Sequence, residues 1–369
     1  MSNVLFLHDI VLKDPKSGTP QHLCEMLRQI RKEHTLTVCA TSVPDDLADI
    51  FVPYPSLKRG FAKLRALRTI VQEKKITHIF TASMVGLLAP VLLKFWCGVK
   101  VADEIHGLDY EQFYRNKQMG YLRYLYMKCK VWLLLCFYDT VFVMSIRLRD
   151  RYWPISRNWV LVLYGGVDVD AIPDSSDRVQ KHDTLTVGYM GNARAYQGLP
   201  NLVEAADVAR KDGLPVRLNL IINGDCSEII EDLKTRGLYE ITTLSISVPH
   251  SEAIRLISRS DILVIPRARD VMMDVAFPGK FAEYLATGIP SIVTRGGPID
   301  EKKEEFDRIS ILVDADNAHD IPRNIADALE RFHAMDTDLR RVLGKKARAF
   351  ALAHLTWEAR GKIFNEQFR

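Results

Sequence analysis

Short β-rich apolar runs alternate with longer segments of helical period along this chain, and the series runs twice. In the first half the runs are NVLFLH, LTVCA, THIFTAS, VKVADEI and DTVFVMS, closed by WVLVLYGGVDVD. In the second they are TLTVGYMG, VRLNLIING, DILVIP, PSIVT and ISILVD. Alternation of this kind predicts parallel sheets wrapped by helices, and its repetition predicts two α/β, doubly wound Rossmann-like domains. The 369 residues suffice for two such domains of roughly 170 residues, each with its own core. Between the two series, AIPDSSDRVQKHD is polar, holds a proline and lacks periodicity. Residues 171–183 therefore read as a linker between domains 1–170 and 184–355. Asp338 to Arg369 is helical in period with a break near Thr356, and the last helix, about 356–369, is expected to return to the first domain. Ligands of such sheets bind beyond the carboxyl ends of the strands, so the two domains are expected to face each other across a cleft that holds the active site.

Composition narrows the function classes. A formal net charge of +4 argues against nucleic acid as a partner. The longest apolar stretch, Val131 to Met144, is interrupted by Asp139 and falls short of the roughly 20 residues of a membrane span. Six cysteines without close-set pairs suggest a reduced cytoplasmic setting. MSNVLFLHDI, with no basic leader, reads as a first core strand. One local cluster stands out: YRNKQMGYLRYLYMKCK, residues 114–130, interleaves five cations with four tyrosines and precedes VWLLLC. Such a helix suits an anionic membrane surface at the inner face of the membrane through residues 114–136, and it equally suits a core helix with a solvated polar face.

The segment richest in chemistry is VAFPGKFAEYLATGIPSIVT, residues 275–294. Pro278 and Gly279 open a helix, Phe281 and Leu285 form its apolar face, and Gly288 with Pro290 ends it before a strand. Lys280 and Glu283 fall together on the side away from that face. Bare N–H groups at the helix start, with a lysine beside them, suit a phosphate. A carboxylate one turn further on would repel phosphate but accepts two hydrogen bonds from vicinal hydroxyls, so Glu283 is expected to hold a ribose. The competing reading is a local Lys280–Glu283 surface pair.

The string PGKFAEYLATGIP resembles the donor-binding signature of family-four, group 1 glycosyltransferases of the GT-B fold. Further pieces match in family order: SGTPQH, EIHG, DTVFVMS, YGGVD, GYMGNARAYQG, INGD and SDILVIP. The resemblance implies transfer of a sugar from a nucleoside diphosphate sugar to an acceptor glycan or lipid-linked glycan. Retention at the anomeric carbon, no bound metal and no tightly held cofactor are implied with it, as is a setting in surface polysaccharide or glycolipid assembly. It also implies a histidine near the transferred sugar, here His106, which could instead be a structural hydrogen-bonder at a strand end.

The chain departs from the family pattern at two places. The position eight before Glu283, commonly acidic, is Val275, and the usual arginine and lysine of the first loop of the second domain match Asn192 and Gln197. Arg194, Arg267, Arg269 and Lys280 are the replacement cations on offer, with solvated loop charge as the alternative for Arg267 and Arg269. In the first half, Gly18 opens a helix expected from about Pro20 to Arg31, whose N–H groups could meet phosphate or acceptor, or merely form a tight turn. Asp9 and Asp109 are further acids, and spacing singles out neither as a base. Two rival readings are a nucleotide-sugar epimerase or hydrolase of the same architecture, and a non-catalytic, membrane-associated partner of another transferase.

Overall fold

Every strand pairing in the two sheets is parallel. The structure, a computed structural model, describes residues 1–13, 18–54, 60–82, 88–107, 109–115, 117–152, 159–161, 165–178 and 183–369. Ser17 of SGTPQH, Tyr164 of YGGVD and residues 179–182 of the expected linker lie outside them, as does the side chain of Asp109. Two compact units emerge: Met1–Gly166 with Val275–Phe277 and Trp357–Arg369, and Val167–Asp274 with Pro278–Thr356.

The first unit is built on β1 (Asn3–Leu7), β2 (Thr35–Ala40), β3 (Ile50–Pro53), β4 (His78–Ala82), β5 (Lys100–Ile105), β6 (Thr140–Val143) and β7 (Trp159–Leu161), in the order β3-β2-β1-β4-β5-β6-β7. The order reverses between β1 and β4, the switch point where such sheets open a crevice at their carboxyl ends. Interior strands are covered on both faces, which is why β1 reads as an apolar run after Asn3 and every residue of β4, His78 and Thr81 included, is buried. The helix Trp357–Gln367 belongs to this unit. Its Phe364, together with Phe368 beyond it, is fully buried. Phe364 lies 4.4 Å from Phe142 between ring centroids, and Phe368 5.7 Å from Phe80.

The second unit carries β8 (Leu185–Asn192), β9 (Val216–Asn223), β10 (Thr242–Ile246), β11 (Ile262–Ile265), β12 (Ser291–Thr294) and β13 (Ile311–Val313), ordered β10-β9-β8-β11-β12-β13. Its switch point falls between β8 and β11. Helices Leu199–Lys211 and Ile321–Ala334 bury their apolar stripes in a core that includes Leu202, Leu220, Ile262 and Leu329. The described part of the expected linker is packed onto this unit. Ser175 N donates to Thr287 O at 2.8 Å, and Arg348 Nη1 donates to Ile172 O at 2.9 Å.

The basic, aromatic stretch forms two helices, Asp109–Arg115 and Tyr121–Leu135, the second opening after Gly120 with an extended backbone. A glycine at that position favours the break, since glycine weakens a helix interior.

Candidate functional site

At the switch point of the second unit, β8 ends in Gly191 and Asn192 and β11 is followed by Pro266 and Arg267. The helix Gly279–Thr287 starts beside them. Pro278 is its N-cap, no side chain caps it, and Gly288 closes it in the left-handed conformation at φ 72°. Phe281, Ala282, Tyr284 and Leu285 are buried, leaving Gly279, Lys280 and Glu283 on the accessible side. Gly279 presents open backbone, with nothing within 4 Å of where a Cβ would stand.

Lys280 and Glu283 do not pair with each other; each has a different partner. Lys280 Nζ donates to Tyr189 OH at 3.1 Å and lies 4.2 Å from that ring's centroid. A Cβ on Gly191 (φ 155°) would stand 2.5 Å from the ammonium, so a side chain there would make Lys280 shift. The stem of Lys280 reaches the surface while its charged end is enclosed. Burial, and then the charge of Arg267, hold its pKa well below the usual lysine value against the pull of Glu283. Glu283 Oε1 meets His250 Nε2 at 3.2 Å, and that bond, opposed by burial, raises the histidine's pKa. His250 opens the helix His250–Ile257 and was not singled out by the sequence.

The loop after β8 collects the remaining candidates. Asn192 Oδ1 accepts from Arg194 N at 3.1 Å, and Tyr189 OH donates to Asn192 O at 2.7 Å. Gln197 is buried, and its Oε1 accepts from Arg267 Nη2 at 3.1 Å. Arg267 is thus an enclosed cation, not a solvated one, and burial depresses its pKa. Arg194 is exposed. Against burial, hydrogen bonds from Gln197 and Asn192 and then the charges of Arg194 and Arg267 bring the phenol of Tyr196 below its usual pKa. Arg269 differs: it meets Asp274 at 3.3 Å, Asp300 at 3.4 Å and also Asp316. Three carboxylates neutralise it. Among the described residues no carboxylate forms an ion pair with Lys280, Arg267 or Arg194. The patch therefore carries excess positive charge, which an anion could neutralise.

The first unit holds a second polar cluster. Glu104, the fifth residue of β5, is fully buried. Its carboxylate meets His22 Nε2 at 3.0 and 3.1 Å, His106 Nε2 at 2.9 Å and Arg360 Nη2 at 3.2 Å. His22 lies in the helix Gly18–Glu33, which begins at Gly18 and runs two residues beyond the expected end. Arg360 comes from the C-terminal helix. Burial disfavours ionised Glu104, yet the charges of His22 and His106 and their hydrogen bonds hold it well below the usual carboxylate range. Burial likewise lowers His22, whereas for His106 the attraction of Glu104 outweighs burial and raises the pKa. The ligand atoms of His22, Glu104 and His106 lie within 4.8 Å of one another, a spacing a metal could use. Arg360 already supplies a cation to that carboxylate, and both imidazole Nε2 atoms are directed at it, so the carboxylate is already engaged and the set fits a metal poorly.

Val275, the position where the family pattern expects an acid, is a buried apolar side chain whose carbonyl accepts from Ser145 Oγ at 2.9 Å. No carboxylate is available from that position.

The sequence matches two family models in succession, Glycosyltransferase Family 4 over residues 16–171 and Glycosyl transferases group 1 over residues 172–350. No curated protein sequence matches it. Among solved structures, sucrose-phosphate synthase from Thermosynechococcus elongatus is similar at TM-score 0.73 and 16% identity, covering 100% of this chain and 98% of that one. Anabaena Alr3699/HepE in complex with UDP and glucose is similar at TM-score 0.74 and 12% identity, covering 100% and 99%. WaaG, a glycosyltransferase involved in lipopolysaccharide biosynthesis, is similar at TM-score 0.64 and 12% identity, covering 98% of each chain. At these identities the likeness speaks for the fold, which is GT-B.

Proposed function

Because the chain belongs to the family-four, group 1 glycosyltransferases, matching their models from residue 16 to 350, we propose that its second unit binds a nucleoside diphosphate sugar and that the enzyme passes the sugar to a glycan or lipid-linked acceptor with retention. The observation that carries this reading is the group of cations without carboxylate partners at the end of β8, set beside a half-exposed carboxylate on the helix Gly279–Thr287. Lys280, Arg194 and the N–H groups from Gly279 onward take the diphosphate, and Asn192 and Gln197 orient the loop around it. Glu283 accepts from the ribose hydroxyls, with His250 holding the carboxylate in place. The complex of HepE with UDP and glucose supports a uridine donor by analogy.

His106 stands by the transferred sugar in this proposal, as the family resemblance implies, and Gly18 begins the helix that would approach phosphate or acceptor. The acceptor oxygen attacks the anomeric carbon from the face that the diphosphate leaves. The bond from that carbon to the phosphate oxygen breaks as the new glycosidic bond forms, and the acceptor proton passes to the departing oxygen. The protein's part is positioning and charge stabilisation.

A membrane surface is the proposed second partner. Supporting it, Leu122, Tyr126 and Leu133 on the helix Tyr121–Leu135 and Phe95 on the helix Leu88–Cys97 are each more than 60% exposed. Arg123, Lys128 and Lys130 nearby have no carboxylate partner among the described residues. Apolar side chains beside such cations suit an anionic interface. No described helix is long and apolar enough to cross a membrane.

The test is transfer itself: the protein is incubated with UDP-, GDP- and ADP-sugars, with and without lipid-linked acceptor extracts. An acceptor-dependent glycoside is expected. A changed or hydrolysed donor without acceptor would favour the epimerase or hydrolase reading, and failure to bind any nucleoside diphosphate would favour a non-catalytic role.

A further inference from the structure

The cluster around Glu104 is built at a cost to stability. A carboxylate with 0% exposure is surrounded by two imidazoles and a guanidinium that is itself only 2% exposed. Among the described residues Nε and Nη1 of that guanidinium, which belongs to Arg360, have no hydrogen-bond partner, and Nε2 of His106 meets Glu104 as an ion-pair contact at 2.9 Å rather than as a well-aligned hydrogen bond. Leaving buried donors unpaired is unfavourable, and features of this kind concentrate where function requires them. The rings of Trp357 and Phe364, 5.8 and 5.9 Å from the guanidinium, compensate in part.

The geometry also divides the two histidines. Both direct Nε2 at the same carboxylate, and their rings meet edge to face at 4.8 Å. His22 is wedged between His106 and the Trp357 ring, 5.3 Å away. His106 follows β5 directly, at the carboxyl end of the sheet where ligands bind. With Nε2 engaged, Nδ1 is the ring nitrogen left for a ligand.

We propose that Glu104 is a positioning residue for His106: it fixes the ring through Nε2 so that Nδ1 is presented to the substrate as a hydrogen-bond donor, while His22 and Arg360 keep the carboxylate ionised and aimed. The proposal rests on the reading of His106 as the histidine beside the transferred sugar. A neutral imidazole bound to Glu104 through Nε2–H carries a lone pair on Nδ1, whereas the imidazolium carries N–H on both nitrogens. Attraction between Glu104 and the imidazolium favours the second state, in which Nδ1 donates to a sugar hydroxyl or to developing negative charge. The charged and titratable groups facing His106 are Glu104 and Asp103 on β5, His22 on the helix Gly18–Glu33, Arg360 on the C-terminal helix and His8 after β1. Of these Glu104 is the nearest carboxylate, and it decides the sign.

The experiment combines histidine-labelled NMR titration with steady-state kinetics of the full chain. In the wild type, His106 is expected to titrate above the ordinary imidazole range, and kcat/KM to fall as pH rises through that value. In Glu104→Gln the titration and this alkaline limb move to lower pH. At neutral pH, kcat falls roughly 10- to 100-fold, part of the roughly 10²–10³ that one preorganised hydrogen-bond donor to developing charge contributes, while donor KM changes little. Glu104→Asp recovers part of the rate. Should Glu104→Gln fail to fold, His22→Asn serves instead: Glu104 loses one of its donors and holds the His106 proton more tightly, so the limb moves to higher pH. A folded Glu104→Gln enzyme with unchanged kcat, or a limb unmoved in either variant, overturns the proposal. His106→Ala with undiminished transfer would instead refute the role given to His106 itself.

Discussion

The two units answer their buried charges in opposite ways. In the first, Glu104 is met by His22, His106 and Arg360, so that a fully buried carboxylate has three cationic or polar partners. In the second, Lys280 and Arg267 are enclosed and hydrogen-bonded to a phenol and an amide, and Glu283, the acid whose charge acts on Lys280, is turned to His250. The carboxylate of the first cluster is met by cations within the protein; the cations of the second have no carboxylate paired with them among the described residues. Both stand at carboxyl ends of parallel strands, so the contrast comes from side chains rather than topology. It teaches which unit is built to take up a diphosphate and which to hold a side chain still.

The largest effect that would sharpen this contrast concerns what holds the first unit together. Phe364→Ala is expected to destabilise that unit by about 3–5 kcal/mol, the usual loss for a fully buried phenylalanine. Nucleotide affinity, a property of the second unit, should survive. Domain-resolved denaturation with a nucleotide titration checks both, and loss of nucleotide binding in folded protein would break the separation.

Next comes Lys280→Met. If the ammonium is there for an anion, nucleoside diphosphate affinity should fall about 10- to 100-fold, the equivalent of one charged hydrogen bond at about 1.5–3 kcal/mol. The melting temperature should stay level or rise, because an enclosed cation without a counter-ion is removed. A lower melting temperature with unchanged affinity would make Lys280 a structural residue.

Acid should separate the units as well. Burial depresses His8, His22, His34 and His78 of the first unit, His78 to about 4. A histidine whose folded pKa lies below its unfolded value of 6.5 stabilises the fold fully above 6.5 and progressively less as pH falls toward the folded value. His106 runs the other way, but four groups outweigh one. The first unit is therefore expected to lose stability between pH 6.5 and about 4 ahead of the second, whose His250 is raised. Calorimetric scans across that window would show it.

The smallest effect is expected at Arg269. Since three aspartates already neutralise it, Arg269→Gln should change nucleotide affinity by less than about 3-fold, within the range of surface charge effects. A loss comparable to that of Lys280→Met would remove the distinction between occupied and available cations.

What the sequence could reveal follows the same physics. Strands covered on both faces announce themselves as apolar runs, whereas β3 and β10, each at one edge of its sheet, have no fully buried residue. They escaped notice for that reason. Within the site, Lys280 and Glu283 were legible because residues three apart on one helix lie side by side whatever the rest of the chain does. His250 is remote in sequence from Glu283, and Arg360 is 256 positions from Glu104. Nothing local marks such pairs, and only the fold assembles them. The loop cations show the intermediate case: the family resemblance offered Arg194, Arg267 and Arg269, with solvated loop charge as the alternative for the last two, and neighbours on other elements decided which of them were already neutralised.

The central claim is that the carboxylate of Glu283 holds the ribose of a donor whose diphosphate lies against Lys280 and the start of its helix. Calorimetric titration of wild type and Glu283→Ala with UDP, GDP and ADP tests it most directly. The account predicts that one of these binds the wild type and that the variant binds it more weakly by one to several orders of magnitude, roughly the loss of two hydrogen bonds to a charged acceptor. Equal affinity in a correctly folded variant would contradict it.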